Sequence, residues 1–317
     1  MVTLLLAFLG CAPDGGKPKV GAEAGPVDVR FDPPPAPEDG FQIVTPDLVV
    51  PPHADLMFCY VGTYTGPTTG VSFYEWIQDE TFGHHVVFGD GAAFDHPDGS
   101  LIDCSEGASV MELPPLLTAT VTAGDYSSTM DLDPGIAVKL ETGQRWVIQS
   151  HYVNTSDDTL LARDVVNIGT EPVEDVNFWV GSWTFNNSVF EIGPQDTLEL
   201  RFTCDWPQDA EILAIMGHMH DHGTAIQVKH LHDDSADLIY EQLQWDPAWQ
   251  SDPAFTIFER GELPVSAGDP FELTCSFHNT TDTAVQFPTE MCVAAGLAGP
   301  LEAPIECDAG YPSTAGG

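Results

Sequence analysis

The sequence predicts an all-β chain folded as two antiparallel β-sandwich domains of jelly-roll type, and three observations predict it. Short stretches of alternating apolar and polar residues recur from Phe41 onward, among them "FQIVTPDLVV", "ADLMFCYVG", "RWVIQSHYV", "TLELRFTCDW", "AIQVKHLH" and "PFELTCSFHN"; such alternation marks strands with one buried face. Glycine (29) and proline (26) are plentiful and interrupt the chain between those stretches, as turns require. No long stretch carries a convincing helical period, so helices are not expected.

From the start, "MVTLLLAFLGCAPDGG" is a short apolar run ending at Gly10-Cys11. It reads as an export signal with a lipoprotein-type cleavage site before Cys11. No Lys or Arg precedes the run, and Phe8 stands where such sites usually carry Leu. Residues 1–11 are expected to be the signal segment, with Cys11 lipidated. The chain would then be exported and anchored at a bacterial cell envelope, on the periplasmic or outer face of the outer membrane, with the lipid as its only membrane contact. Residues 12–40, including "DPPPAPEDG", are rich in proline, glycine and acidic side chains, a composition that predicts a flexible tether. The first sandwich is expected over 41–168 and the second over 169–317, with the junction in "IGTEPVED", residues 168–175.

The formal net charge is −40, with Lys+Arg at only 9, and no basic residue falls between Phe31 and Val138. That excludes nucleic acid as a partner. The acidity suits a solubilising surface, or the attraction of metal ions and amine substrates. After the opening residues no apolar run is long enough to span a bilayer. Setting Cys11 aside leaves six cysteines, Cys59, Cys104, Cys204, Cys275, Cys292 and Cys307. An even set in an exported chain implies disulfides, with 15 pairings open on the residues alone. There is no CxxC, so a zinc ribbon or a thioredoxin-type motif has no support.

The chemistry concentrates in four places: "GHHVVFGD" with His84 and His85, "VIQSHYVN" with His151, "GHMHDHG" with His218, His220 and His222, and "TEMCVAAG" with Met291. On a strand, side chains at i and i+2 share a face, so His218 and His220 can grip one ion. His222 shares that face, but its Cα lies roughly 13 Å from that of His218 on a straight strand, too far for one ion. Adjacent histidines face opposite ways on a regular strand, so His84 and His85 can meet one ion only at a strand end or a bulge. His53, His96, His230 and His278 read as ordinary surface or core histidines.

Taken together and in order, "HHVVFG", "IQSHY", "GHMHDHG" and "TEMC" resemble the copper type II, ascorbate-dependent monooxygenases, the peptidylglycine α-hydroxylating and dopamine β-monooxygenase family. The likeness spans about residues 41 to 307. It implies two β-sandwich domains with one copper in each, held by His84, His85 and His151 in the first and by His218, His220 and Met291 in the second. It also implies the pairs Cys59–Cys104, Cys204–Cys307 and Cys275–Cys292, the last pinning the chain beside Met291. A family cysteine just after the "HHxxxFG" motif is Asp90 here, and its partner after Cys104 is absent as well. Where peptide-amidating members bind a peptide carboxylate, this chain carries Met216, Val293 and Ala295. Peptide amidation is therefore not expected.

The function this implies is copper-dependent hydroxylation of an activated C–H bond by O2, with an external reductant such as ascorbate. The substrate is a small molecule, an amine or a benzylic compound. The resemblance assigns oxygen activation to the second copper and electron supply to the first. Gln149 shares a strand face with His151 and is expected to order water or a ligand ring between the sites. The competing readings are a copper-binding exported lipoprotein without catalysis and a structural β-sandwich with incidental histidines.

Overall fold

The computed structural model describes residues 25–105, 115–119, 127–250, 253–287, 289–301, 303–309 and 311–315. The signal segment, Cys11 and the first part of the expected tether lie outside them. The fold is all-β. Among the described residues the only helical turns are the two 3-10 turns Val173–Asp175 and Pro247–Gln250.

One large sheet runs through the molecule in the order Gly40–Val44, Val165–Glu171, Thr69–Ile77, Ile136–Leu140, Phe178–Asn186, Val293–Gly299, Ala210–His218, Phe255–Ile257. A five-stranded sheet packs on its first half, in the order Leu101–Asp103, Asp55–Thr63, Arg145–Val153, Gly83–Asp90, Pro115–Ala119. A four-stranded sheet packs on its second half, in the order Thr197–Asp205, Pro270–His278, Gly223–Leu231, Ala236–Gln242. The two partner sheets cover opposite faces of the large one. On the single strand Phe178–Asn186, Phe178 and Val180 belong to the first core, with Tyr74, Trp76 and Phe88. Trp183 and Phe185 belong to the second, with Trp206, Phe271 and Ile212. Side chains alternate faces along a strand, so an odd step from 180 to 183 moves from one core to the other. The halves meet at a narrow parallel seam, Ile136–Val138 against Phe178–Val180.

The sequence makes these strands for simple reasons. In "RWVIQSHYV" Trp146 and Ile148 point into the first core, while Val147 packs in a separate cluster with Cys59, Val61 and Cys104. Burying each large side chain of these cores contributes about 1.5–3 kcal/mol, and Trp76, Trp183 and Trp206 are among the fully buried ones.

The disulfides are Cys59–Cys104, Cys204–Cys307 and Cys275–Cys292, with Cα separations of 5.8, 6.3 and 5.8 Å. The second and third link the four-stranded sheet to strands of the large sheet, or to the chain just before one. They staple the two layers of the second sandwich together.

Two expectations about organisation differ from the structure. Residues 25–40 are not a free tether: Val27–Asp28 pairs in parallel with Leu160–Leu161. Arg30 bonds Asp28 and Asp47 at 2.7 Å each. A backbone ladder and ion pairs hold this piece although it has few apolar side chains to bury. The boundary expected after residue 168 falls inside the strand Val165–Glu171. The first core draws on Phe178, Val180 and Leu213 from beyond it.

Candidate metal centre

The first cluster forms where Arg145–Val153 pairs with Gly83–Asp90. His151 lies opposite His85 and Tyr152 opposite Gly83, so the register shifts by one residue and His84 is the extra residue of a β-bulge. A bulge is what lets neighbouring side chains leave the strict alternation of a strand. His84 Nδ1 lies 3.3 Å from His85 Nδ1, and His151 Nδ1 lies 3.4 Å from the same atom. One ring nitrogen from each of the three half-buried histidines lies within 4.8 Å of the others.

The outer ring nitrogen of His151 explains why its Nδ1 points inward. His151 Nε2–H donates to Asp55 Oδ1 at 2.6 Å, while His85 Nε2 is buried with no hydrogen-bond partner among the described residues. A partner on Nε2 fixes the tautomer with its lone pair on Nδ1. Gln149 is fully buried, and its Nε2 packs 3.9 and 4.0 Å from Cys59 Sγ and Cys104 Sγ. That places it in the core beside the first disulfide, away from water. Behind the cluster, the buried Gln78 amide donates to the backbone carbonyls of His85 and His151 at 3.4 and 3.3 Å and to Asp164 Oδ2 at 3.5 Å. Glycine at 83 leaves room for this amide, since a Cβ there would overlap Gln78 and the Asp79 carbonyl.

The second cluster forms at the tip of the hairpin between Ala210–His218 and Gly223–Leu231. The expectation of a straight strand through His222 does not hold: the strand ends at His218, and Gly223 N–H donates back to His220 O at 3.2 Å. His222 sits in that turn, outside the group its neighbours form. His218 Nε2 and His220 Nε2 approach to 3.1 Å. His220 Nδ1–H donates to the Thr289 carbonyl oxygen at 2.9 Å, which frees its Nε2 for a ligand. The segment carrying Met291 is held here by register: Val293 lies opposite His218, and continuing that pairing sets Met291 opposite His220. Met291 is buried, and Cys292 beside it is tied to Cys275.

Burial, then the neighbouring His220, lowers the His218 pKa from 6.5 to about 3. Burial, then the other histidines of the triad, holds His85 well below the ordinary range. His84 is lowered by burial and then by His151. These imidazoles are neutral at neutral pH, the form that binds metal.

The donor sets fit copper. Three imidazoles converging on one point suit it in either oxidation state, and a thioether on the segment held against two imidazoles favours Cu(I). Asp55, Gln78, Asp164, Thr289 and Glu290 escaped the sequence reading. Only Glu290 carried a signal, as a carboxylate directly before Met291 in an otherwise apolar run.

No family model matches the chain, and no curated protein matches it. Among solved structures, the major capsid protein P2 from bacteriophage PM2 is similar over 81% of this chain and 98% of that one, at 11% identity and a TM-score of 0.34. The triple jelly roll of an archaeal virus is similar over 84% of this chain and 62% of that one, at 11% identity and a TM-score of 0.20. The subviral-particle protein VP2 of infectious bursal disease virus covers 86% and 74%, at 11% identity and a TM-score of 0.21. Scores this low say nothing about what this chain does.

Proposed function

We propose that the chain is a copper-dependent monooxygenase that hydroxylates an activated C–H bond of a small apolar molecule, drawing electrons from an external reductant such as ascorbate. The observation that carries the reading is the pair of unlike ligand sets: three converging imidazoles in the first sandwich, two imidazoles beside a methionine in the second. Copper held at these sets would supply one-electron redox chemistry toward O2. In the overall reaction one oxygen atom enters the C–H bond and the other leaves as water, with two electrons and two protons from the reductant.

The residues of the chain fix where this happens. Asp55 holds the His151 ring of the first set with Nδ1 inward, and Thr289 holds His220 with Nε2 inward. The sheet face that carries His218 is apolar. Met216 lies opposite Ala295 and Phe255, and Ala214 opposite Leu297 and Ile257. Phe255 is 55% exposed and Ile257 70% exposed, so this strip is open to a ligand. It offers no cation to a carboxylate, which argues for an apolar body beside the reacting C–H bond and against a peptide terminus. The export signal and Cys11 anchor would place the activity at a cell envelope, where copper and disulfides are both at home.

The test is oxygen consumption by the copper-loaded chain with ascorbate, across a panel of benzylic compounds, arylalkylamines and carboxyl-terminal glycyl peptides. Uptake that depends on an apolar substrate and yields its alcohol supports the reading. Two coppers bound with no substrate-dependent uptake from any compound favours a copper-binding protein without catalysis. No copper bound at all sinks both.

A further inference from the structure

Glu290 is a carboxylate with no exposed surface, in a chain whose other acidic groups mostly face water. Its Oε1 accepts the backbone N–H of His220 at 2.6 Å and that of Met291 at 2.9 Å. Its Oε2 accepts the backbone N–H of His222 at 2.8 Å. A buried charge is costly unless hydrogen bonds satisfy it, and three charge-assisted bonds from backbone amides do so. All three donors belong to the hairpin tip or to the methionine segment. They come from two pieces of chain about 70 positions apart.

We infer that Glu290 is the positioning residue of the second ligand set, and that its carboxylate clamps the Met291 segment onto the His218–Gly223 hairpin tip so that the two imidazoles and the thioether are assembled before any ion binds. The inference rests on the copper reading for the identity of the ion, but not for the clamp. The geometry argues against a purely structural role. The hairpin tip has its own turn bond, Gly223 N–H to His220 O, and the methionine segment has its own disulfide at Cys292. What neither supplies is a bond between them at the level of His220 and Met291. Glu290 joins the two pieces through both oxygens, His220 N–H to Oε1 and His222 N–H to Oε2, next to the bond from His220 Nδ1 to Thr289 O, while Met291 N–H braces Oε1 from within its own segment. A methionine sulfur on a flexible stem is a weak ligand unless its backbone is fixed.

The experiment uses the full chain with Glu290→Gln and Glu290→Ala. In metal-free protein, amide hydrogen exchange at His220, His222 and Met291 should be slow in the native sequence. It should accelerate in Glu290→Gln, whose NH2 group faces an N–H where an oxygen stood. With Cu(I) supplied through a competing chelator, Glu290→Ala should weaken the second copper by about 10- to 100-fold and remove the copper–sulfur scattering of Met291. The copper spectrum of the His84–His85–His151 set should not change. Glu290→Gln, closer in shape, should recover part of that affinity, which also guards against an alanine variant that fails to fold. Equal amide protection in the native chain and Glu290→Gln would overturn the clamp. So would an undiminished copper–sulfur signal in both variants. A native chain that takes no second copper yet protects the three amides would instead overturn the copper reading and leave the clamp standing.

Discussion

At the scale of single residues, the candidate site is held by partners of the histidines as much as by the histidines themselves. Asp55 is the clearest case: it lies on the strand beside His151, 96 positions away in sequence, and accepts the Nε2 proton. Asp55→Ala removes that acceptor and frees the ring to flip. The first copper should weaken about tenfold while the second is unchanged, as read by chelator competition and by the copper resonance spectrum; equal affinity at the first set would show that the ring is held by packing alone. Asp164 makes a second residue-scale prediction. It is fully buried, and burial raises its pKa from 3.8 to about 6 against the opposing hydrogen bonds from Tyr152 and Gln78. A folded value above the unfolded one means that folding takes up a proton between those two values. The contribution to stability is complete below pH 3.8 and is lost as pH rises through about 6, a change on the order of 3 kcal/mol. Asp164→Asn removes the titration. The difference in urea midpoint between the two metal-free proteins should therefore drift in favour of the variant from pH 4 to pH 7, and a difference that stays constant would contradict it.

At the scale of elements, the two proposed ligand sets sit on two local irregularities, a bulge at His84 and a hairpin tip after His218. The bulge was legible in outline, because two adjacent histidines cannot serve one ion on a regular strand. The hairpin tip was not. "GHMHDHG" alternates like a strand, and a turn at His220–Gly223 shows only once Gly223 is seen to bond back to His220. Glycine makes these elements fit. A Cβ at Gly296 would overlap the Ala214 carbonyl oxygen, and one at Gly217 would lie 2.8 Å from Ile226. Gly296→Ala should force Val293–Gly299 away from Ala210–His218, the strand pair that aligns Met291 with His220. It should cost about 1–3 kcal/mol of stability and the second copper, and spare the first. If Gly296→Ala holds both coppers at native affinity, the register between these strands does not set the second site.

At the scale of the whole molecule, most of the architecture was readable and the joint between its halves was not. Alternation and turn residues announced an all-β chain. The disulfide pairs came through the family resemblance, not through spacing. What no local pattern reveals is that one sheet serves two sandwiches on opposite faces, because that depends on a parallel seam between strands about forty positions apart. The two ligand sets sit in different halves and should fail separately. Met291→Ala should lose Cu(I) at one set and leave one copper per chain, and His151→Ala should lose the other; both should abolish substrate-dependent oxygen uptake. Loss of a copper in His222→Ala with Met291→Ala silent would show that another combination of histidines ligates. The seam also has a consequence for biogenesis. A chain delivered amino end first, from a ribosome or through a translocation pore, presents residues through Glu171 with the first core still lacking Phe178 and Val180. Until those two arrive, Ile136–Leu140 is an open edge facing whatever strand is nearest, including that of another nascent copy. The hazardous moment is thus a short interval after the expected domain junction has passed. A stop codon or protease cut at 172–176 would not release a tidy half-protein but a sticky one.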